Sequence, residues 1–540
     1  MHLHLDALSL LFLCLLLPQT VAAALAGMRG SLSFWVFVLG MALTLLAGDA
    51  FSLIFGFELM SAASWLLVLR GDRQPATLYI GIAVFAAACL IPAVFLPPSS
   101  LAFVLVALGA GAKAGLAPLH SWLPRAHPAP PAGVSALMSG GMVKVALYVL
   151  IRYAFILLAP AAQPWWGGAL AAAGALSVLI GALRAMVEVE LKTVLACSTV
   201  EHAGLIAVGL GLGLYGKTTG DAALAGLGLQ AALLCAVAHA LFKPLLLIGA
   251  GEVKHAVGTT SLNWLGGLMR GMPRLGGLML LGAAGMAALP PGPGFAPEYL
   301  LWHAVIAAAA QGGGILSRLG FSALLAILGL GAALALAAAV RLIGMGFLGR
   351  PRSLHAAAAE DARRGPSLAM ALLATLMLPV ALLPGLMLGL MTPAIRLLAP
   401  QAQTPPLTYA PLTLLLLALL AALALGFAQT RWGVRGLRET PGWNGGFGRP
   451  PAWLPFGDPH TQPSATGFAE PVARVLGRGV LGAGLGDPAE RFLLAPLARL
   501  QLRGVRLAER VRRATIRERL AFIFAALVLF LLALGLGEGG

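Results

Sequence analysis

Six ionisable side chains stand inside runs of sequence that are otherwise apolar: Glu58, Lys113, Lys144, His239, Lys243 and Glu298. Carboxyl, imidazole and amine groups all bind and release protons, and at membrane depth each is costly enough to mark either a structural pair or an ion path. Glu58 lies midway along LIFGFELMSAASWLLVL, so it should either hold its proton more tightly than usual or find a cationic partner from another segment; Lys113 is the natural candidate. Lys113 and Lys144 both fall within Gly111 to Arg152, where Pro118, Pro124, Pro128, Pro130 and Pro131 preclude one uninterrupted helix. His239 and Lys243, four residues apart, project from one helical face. Glu298 follows a second break at Pro290 to Pro297, where it is either an ion-path carboxylate or a compensation for the helix dipole. Glu201 and His202 lie deep in their run without a clear assignment, Glu188, Glu190 and Lys192 read as interfacial, and Arg152 and Arg341 as snorkelling.

Other chemistries find no support. The sequence has no P-loop, dinucleotide-binding glycine pattern, zinc spacing or hydrolase elbow, so no independent active site and no cofactor is expected. Cys14, Cys89, Cys197 and Cys235 fall in apolar runs without CxxC spacing and read as small core hydrophobes. The net charge of +16 would suggest nucleic acid in a soluble protein, but 59% hydrophobic residues, 10% charged residues and a mean hydropathy of +0.90 make this an integral membrane protein. Its environment is the lipid bilayer, and no nucleic-acid partner is expected. The leader MHLHLD carries an acid and no Lys or Arg, unlike a signal peptide.

At about 20 residues per crossing, the elements that must carry these groups are fourteen apolar segments: 7–27, 31–48, 50–69, 76–97, 100–124, 133–158, 166–186, 191–214, 222–251, 275–311, 321–348, 367–393, 409–428 and 517–536. Numbering the loops alternately puts Arg29, Arg70, Arg73, Arg125, Arg184, Lys192, Lys254, Arg270, Arg274, Arg350, Arg352, Arg363 and Arg364 on one side; the other has Lys217, Arg318 and Arg396. This asymmetry predicts that the first side is cytoplasmic, that both termini lie outside and that 429–516 is cytoplasmic. Within that region 429–483 reads as irregular, and Pro488 to Arg519 as an amphipathic interfacial helix or a solvated connector.

The expected fold is an all-α polytopic membrane protein of about 14 transmembrane helices. It is organised as an N-terminal helix (1–30), a first repeat (31–158), a second repeat (159–348), two further helices (349–428), the cytoplasmic loop with its lateral helix (429–516) and a C-terminal helix (517–540). Segments two to six hold a carboxylate helix and a broken lysine helix; segments seven to eleven hold a basic helix and a broken glutamate helix. Five-helix units have odd parity, so successive copies must be inverted, an arrangement found in many secondary transporters.

FELMSAASWLLV, GAKAGLAPLHSWLPRAHP, SALMSGGMVKVALYVLIR, LKTVLACSTVEHAG, HALFKPLLLIGAGEV and PGFAPEYLL resemble the antiporter-like, proton-translocating membrane subunits of respiratory complex I, Mrp-type cation/proton antiporters and membrane-bound hydrogenases. WLPRAHP and PGWNGGFG…SATGFAEPVARV are most similar to the hydrogenase-4 component B and formate hydrogenlyase branch. The resemblance implies that Glu58 and Lys113 form the charged pair of a first half-channel, that Lys144 continues the path, that His239 and Lys243 make the central connection and that Glu298 is the terminal proton-exchange residue. It further implies a subunit of a bacterial inner-membrane oxidoreductase whose partners are other membrane subunits and whose redox cofactors lie elsewhere. The alternatives are an Mrp-type Na⁺/H⁺ antiporter subunit and a non-pumping membrane anchor of a hydrogenase. The chain departs from the family pattern at Arg125 (usually Asp in complex I relatives), Gly133 (often His) and Gly445 (Cys), and two further helices usually precede LDALSL.

Overall fold

Chain length against hydropathy accounts for most of the architecture. In water-free hydrocarbon a segment must satisfy its own backbone, so apolar runs of this length become helices. The structure, a computed structural model, describes residues 2–311, 314–432 and 462–475. Its first crossings are α1 (Ala7–Ala23, prolonged by a π-turn at Ala24–Met28), α2 (Leu32–Leu46), α3 (Ala50–Leu69) and α4 (Arg73–Phe95). The fifth is α5 (Ser100–Ala114), followed by a loop holding α6 (Leu123–Ala126); the sixth is α7 (Ala132–Leu137) and α8 (Val143–Arg152), joined by a π-segment at Met138–Met142. Then come α9 (Pro164–Val187), α10 (Leu191–Thr219), α11 (Ala222–Val257), the short α12 (Leu268–Gly271), the pair α13 (Pro273–Met286) and α14 (Phe295–Gln311), and α15 (Ile315–Gly346). The short α16 (Leu354–Ala357), α17 (Arg364–Leu382), α18 (Pro384–Leu398), α19 (Pro411–Trp432) and α20 (Ala465–Val475) complete the described chain.

Asp6, Ser31, Asp49, Asp72 and Ser99 cap the first helices by accepting amide hydrogen bonds from Ser9, Phe34, Ser52, Gln74 and Ala102. In the α2–α3 loop the Ser52 amide, then that of His2, hold the Asp49 carboxyl at about 2.

The expected breaks in the fifth and tenth crossings are present. α5 stops at Gly115 (φ 76°), and α13 and α14 are separated by residues 287–294. A third break was not expected. The crossing read as one run over 367–393 is divided at Leu383, where Pro384 begins a new helix. It is still a single crossing: Gly365 abuts the Leu25 carbonyl at one end, and the Leu398 carbonyl shares Lys217 with Phe155 at the other. The region 429–483, expected to be irregular, contains α20. The expected lateral helix at 488–519 and the last crossing at 517–536 lie outside the described residues.

α7–α8, α10 and α11 are enclosed by other helices along their apolar length. α10 lies against α9 along a glycine seam in which Gly167, Gly174 and Gly181 recur at seven-residue intervals. A Cβ at Gly174 would stand 2.7 Å from the Gly204 oxygen, one at Gly204 2.5 Å from the Gly174 oxygen, and one at Gly181 2.5 Å from the Glu201 nitrogen. Only glycine permits this backbone approach, and it fixes where α10 presents its polar residues.

Candidate functional site

Lys113 occupies the last turn of α5, where the helix ends inside protein. Gly115 and Leu116 close that end by donating to the Ala112 and Gly111 carbonyls, and the Trp122 indole donates to Ala112 as well (2.8 Å). A buried cation here meets the negative end of the helix dipole. Lys113 Nζ donates to the Tyr79 hydroxyl of α4 at 2.7 Å and lies 4.2 Å from the Tyr79 ring centroid. That hydroxyl is 2.6 Å from Ser64 Oγ on α3. Glu58, also on α3, interacts with Lys113 through charge, but the two make no contact ion pair, and Glu58 Oε1 is buried without a hydrogen bond. The expected pairing is therefore indirect, through space, with Tyr79 as the direct neighbour of the ammonium.

A second cluster joins the sixth crossing to α10 and α11. Lys144 follows the π-segment of the sixth crossing; its Nζ donates to the Ser139 carbonyl (3.1 Å) and makes a close contact with His239 Nδ1 on α11. A π-segment shifts helical register by one residue and redirects the side chains that follow it. One turn further along α11, Lys243 donates to Ser198 Oγ of α10. His202 of α10 lies with its ring centroid 5.1 Å from that of His239 and contacts the Ser198 carbonyl through Nδ1 (2.8 Å). Glu201 is buried with Oε2 unpartnered and interacts electrostatically with both Lys243 and Glu298. Ser139 and Thr199 hydroxyls bridge α7–α8 to α10 at 2.7 Å. Pro244, directly after Lys243, removes the amide that would have bonded the Ala240 carbonyl and loosens α11 at this level.

Glu298 sits in the first turn of α14, immediately beyond the break. Its half-helix presents an N-terminus, whereas that of Lys113 presents a C-terminus, so both side chains have the charge that suits their helix end.

The six residues singled out in the sequence fall in three groups: Glu58 acts on Lys113 through charge, Lys144 touches His239 one turn from Lys243 on α11, and Glu298 interacts electrostatically with Glu201, which also acts on Lys243. Sequence reasoning left Tyr79, Ser198 and Ser139 out and left His202 and Glu201 unassigned. The i, i+3, i+4 spacing of Ser198, Glu201 and His202 was the available signal. Lys192, at the start of α10, is buried and donates to the Pro128 (3.3 Å) and Pro130 (2.9 Å) carbonyls. One other expectation is corrected. Arg341 does not snorkel: it is fully buried and donates to the Ala185, Glu188 and Ala465 carbonyls, which ties α20 to α9 and α15. Arg152 is held by Asp6, Ser9 and Tyr148. Of the cysteines, Cys14 is exposed on the helix surface and the other three are buried.

Fold and site together define a polytopic helical membrane protein built around a buried row of acid and base groups. Residues 93–323 match the family described as NADH:quinone oxidoreductase/Mrp antiporter, TM. The chain is 37% identical over 373 residues to hydrogenase-4 component B of Escherichia coli (strain K12), covering 64% of this chain and 55% of that protein. It is 36% identical over 481 residues to an uncharacterised protein of Mycobacterium tuberculosis, covering 82% of this chain and 74% of the relative. Among solved structures, a chain of the membrane-bound sulfane sulfur reductase, an archaeal respiratory membrane complex, matches with a TM-score of 0.76 at 21% identity; the match covers 98% of this chain and 89% of that chain and bears on the fold alone. The chain belongs to the NADH:quinone oxidoreductase/Mrp antiporter transmembrane family.

Proposed function

We propose that this chain moves protons across a bacterial inner membrane as a subunit of a hydrogenase-type or complex I-like oxidoreductase. The observation that carries the proposal is the contact between Lys144 and His239, which joins the lysine of the sixth crossing to the His239–Lys243 face of α11 through groups that can all hold a proton. Glu58 and Lys113 are the charged pair of one half, Lys144, His239 and Lys243 the connection, and Glu298 the exchange residue at the far end. Like charges this close oppose one another in a low-dielectric interior, so a proton arriving at one lysine displaces the charge on the next. The driving electron transfer belongs to partner subunits; hydrogenase-4, named in the E. coli relative, supports an assembly of that kind. The proposed orientation has the arginine-bearing loops and 429–516 in the cytoplasm and both termini outside.

The test is redox-driven proton transport by the assembled complex in inverted membrane vesicles. Lys113→Ala and Glu298→Ala should each lower the transport rate at least tenfold, with the complex still assembled. Unchanged transport in both variants would refute the reading.

A further inference from the structure

His127 closes the turn after α6 and is fully buried, yet neither ring nitrogen has a hydrogen-bond partner in the protein. Its ring packs edge-on against Trp122 (centroids 5.7 Å apart), and its backbone carbonyl accepts a hydrogen bond from Ser135 Oγ at 2.7 Å. The backbone is thus fixed while the imidazole's donor and acceptor remain unmet. Buried polar atoms of this kind are ordinarily satisfied by internal water.

The surroundings indicate what that water would connect. The charged or titratable groups that act on the ring are Lys144 from α8 and Lys243 and His239 from α11; no carboxylate is among them. On the other side, the Pro128 and Pro130 carbonyls hold Lys192 from α10, Ala129 abuts Gly71 in the α3–α4 turn, and Arg125 is exposed. His127 therefore stands between the row and the face that carries Arg125.

We propose that His127 is the group through which the lysine–histidine row exchanges protons with the Arg125 face, by way of water bound at its two ring nitrogens. The inference rests on the proton-transport reading above and adds to it a side branch on one face of the membrane.

The experiment compares three variants of the assembled complex in inverted vesicles, measuring protons moved per electron pair as a function of pH. His127→Gln keeps hydrogen-bonding capacity and loses titration; it should lower proton transport at least tenfold. His127→Glu restores a titratable group and should recover at least a third of the wild-type rate, with a pH profile displaced from the wild type. Lys144→Met serves as the control for the underlying reading. If Lys144→Met abolishes transport and His127→Gln does not lower it, the assignment of His127 is wrong and the row stands. If both transport normally, the transport reading itself fails. Should His127→Glu be as inactive as His127→Gln, the ring's role is structural and the proposal is overturned. A cryo-EM map of the wild-type complex supplies a check independent of the variants: ordered water within hydrogen-bonding distance of both ring nitrogens is expected, and a dry imidazole would overturn the proposal.

Discussion

Lys113 is accommodated in the interior by a helix end and a phenol, with its carboxylate acting from beyond contact distance. The Tyr79 hydroxyl accepts from the ammonium at 2.7 Å and links it to Ser64 on the helix that carries Glu58. A hydrogen bond to a charged group contributes roughly 1.5–3 kcal/mol. Tyr79→Phe should therefore slow proton transport about tenfold or more, because the protonated state of Lys113 loses that support. In a double-mutant cycle with Lys113→Ala the added effect of Tyr79→Phe should vanish, since the phenol acts only through the lysine; equal effects in both backgrounds would contradict this. Charged residues in apolar runs are visible in a sequence, which is why Glu58, Lys113, Lys144, Lys243 and Glu298 were legible. His239 was legible only through its shared face with Lys243; a tyrosine, serine or histidine without such a charged neighbour looks like ordinary packing, so Tyr79, Ser198 and His127 emerged only when neighbouring helices came together.

The glycines between α9 and α10 have an equally specific task. A side chain at Gly174 would meet backbone atoms of Gly204 and Val208 at 2.7 Å, and backbone cannot rotate away as a side chain can. Gly174→Leu should force the helices apart at a cost of about 1–3 kcal/mol, lowering the thermal midpoint of the detergent-purified complex and shifting Glu201 out of line with Lys243. Gly168, on the same helix with nothing within 4 Å of its would-be Cβ, is the control: Gly168→Leu should leave the midpoint unchanged. Helices and their approximate ends were readable because hydropathy and length determine them in a membrane. The break at Leu383 was not, because Pro379 sits within α17 while Pro384 starts a new helix, and only packing separates two prolines of similar local context. The π-segment before Lys144 was hidden for a related reason, since its one mark, the Gly140–Gly141 pair, is a weak signal in a chain with 68 glycines.

Across the whole molecule, contacts gather the loops into two sets. Met28 and Ala23 lie against Gly133, Leu25 against Gly365, Gly71 against Ala129, and Lys192 against the proline loop, so the ends beside Arg29, Arg70, Arg73, Arg125, Arg363 and Arg364 meet on one face. At the opposite face, Arg152 binds Asp6, the His2 amide donates to Asp49, and Lys217 binds the Phe155 and Leu398 carbonyls. The proposed orientation has the first set in the cytoplasm, where the positive-inside tendency would retain basic loops during insertion. This orientation predicts the outcome of labelling with a membrane-impermeant thiol reagent in a background where Cys14, Cys89, Cys197 and Cys235 are replaced by alanine. Arg125→Cys should react in inverted vesicles and stay protected in intact spheroplasts, and His4→Cys should show the reverse. Swapped accessibility would place the arginine face outside and, with it, reverse the direction in which any exchange through the Arg125 loop could feed the row; equal accessibility of both sites in sealed membranes would contradict a two-faced arrangement altogether.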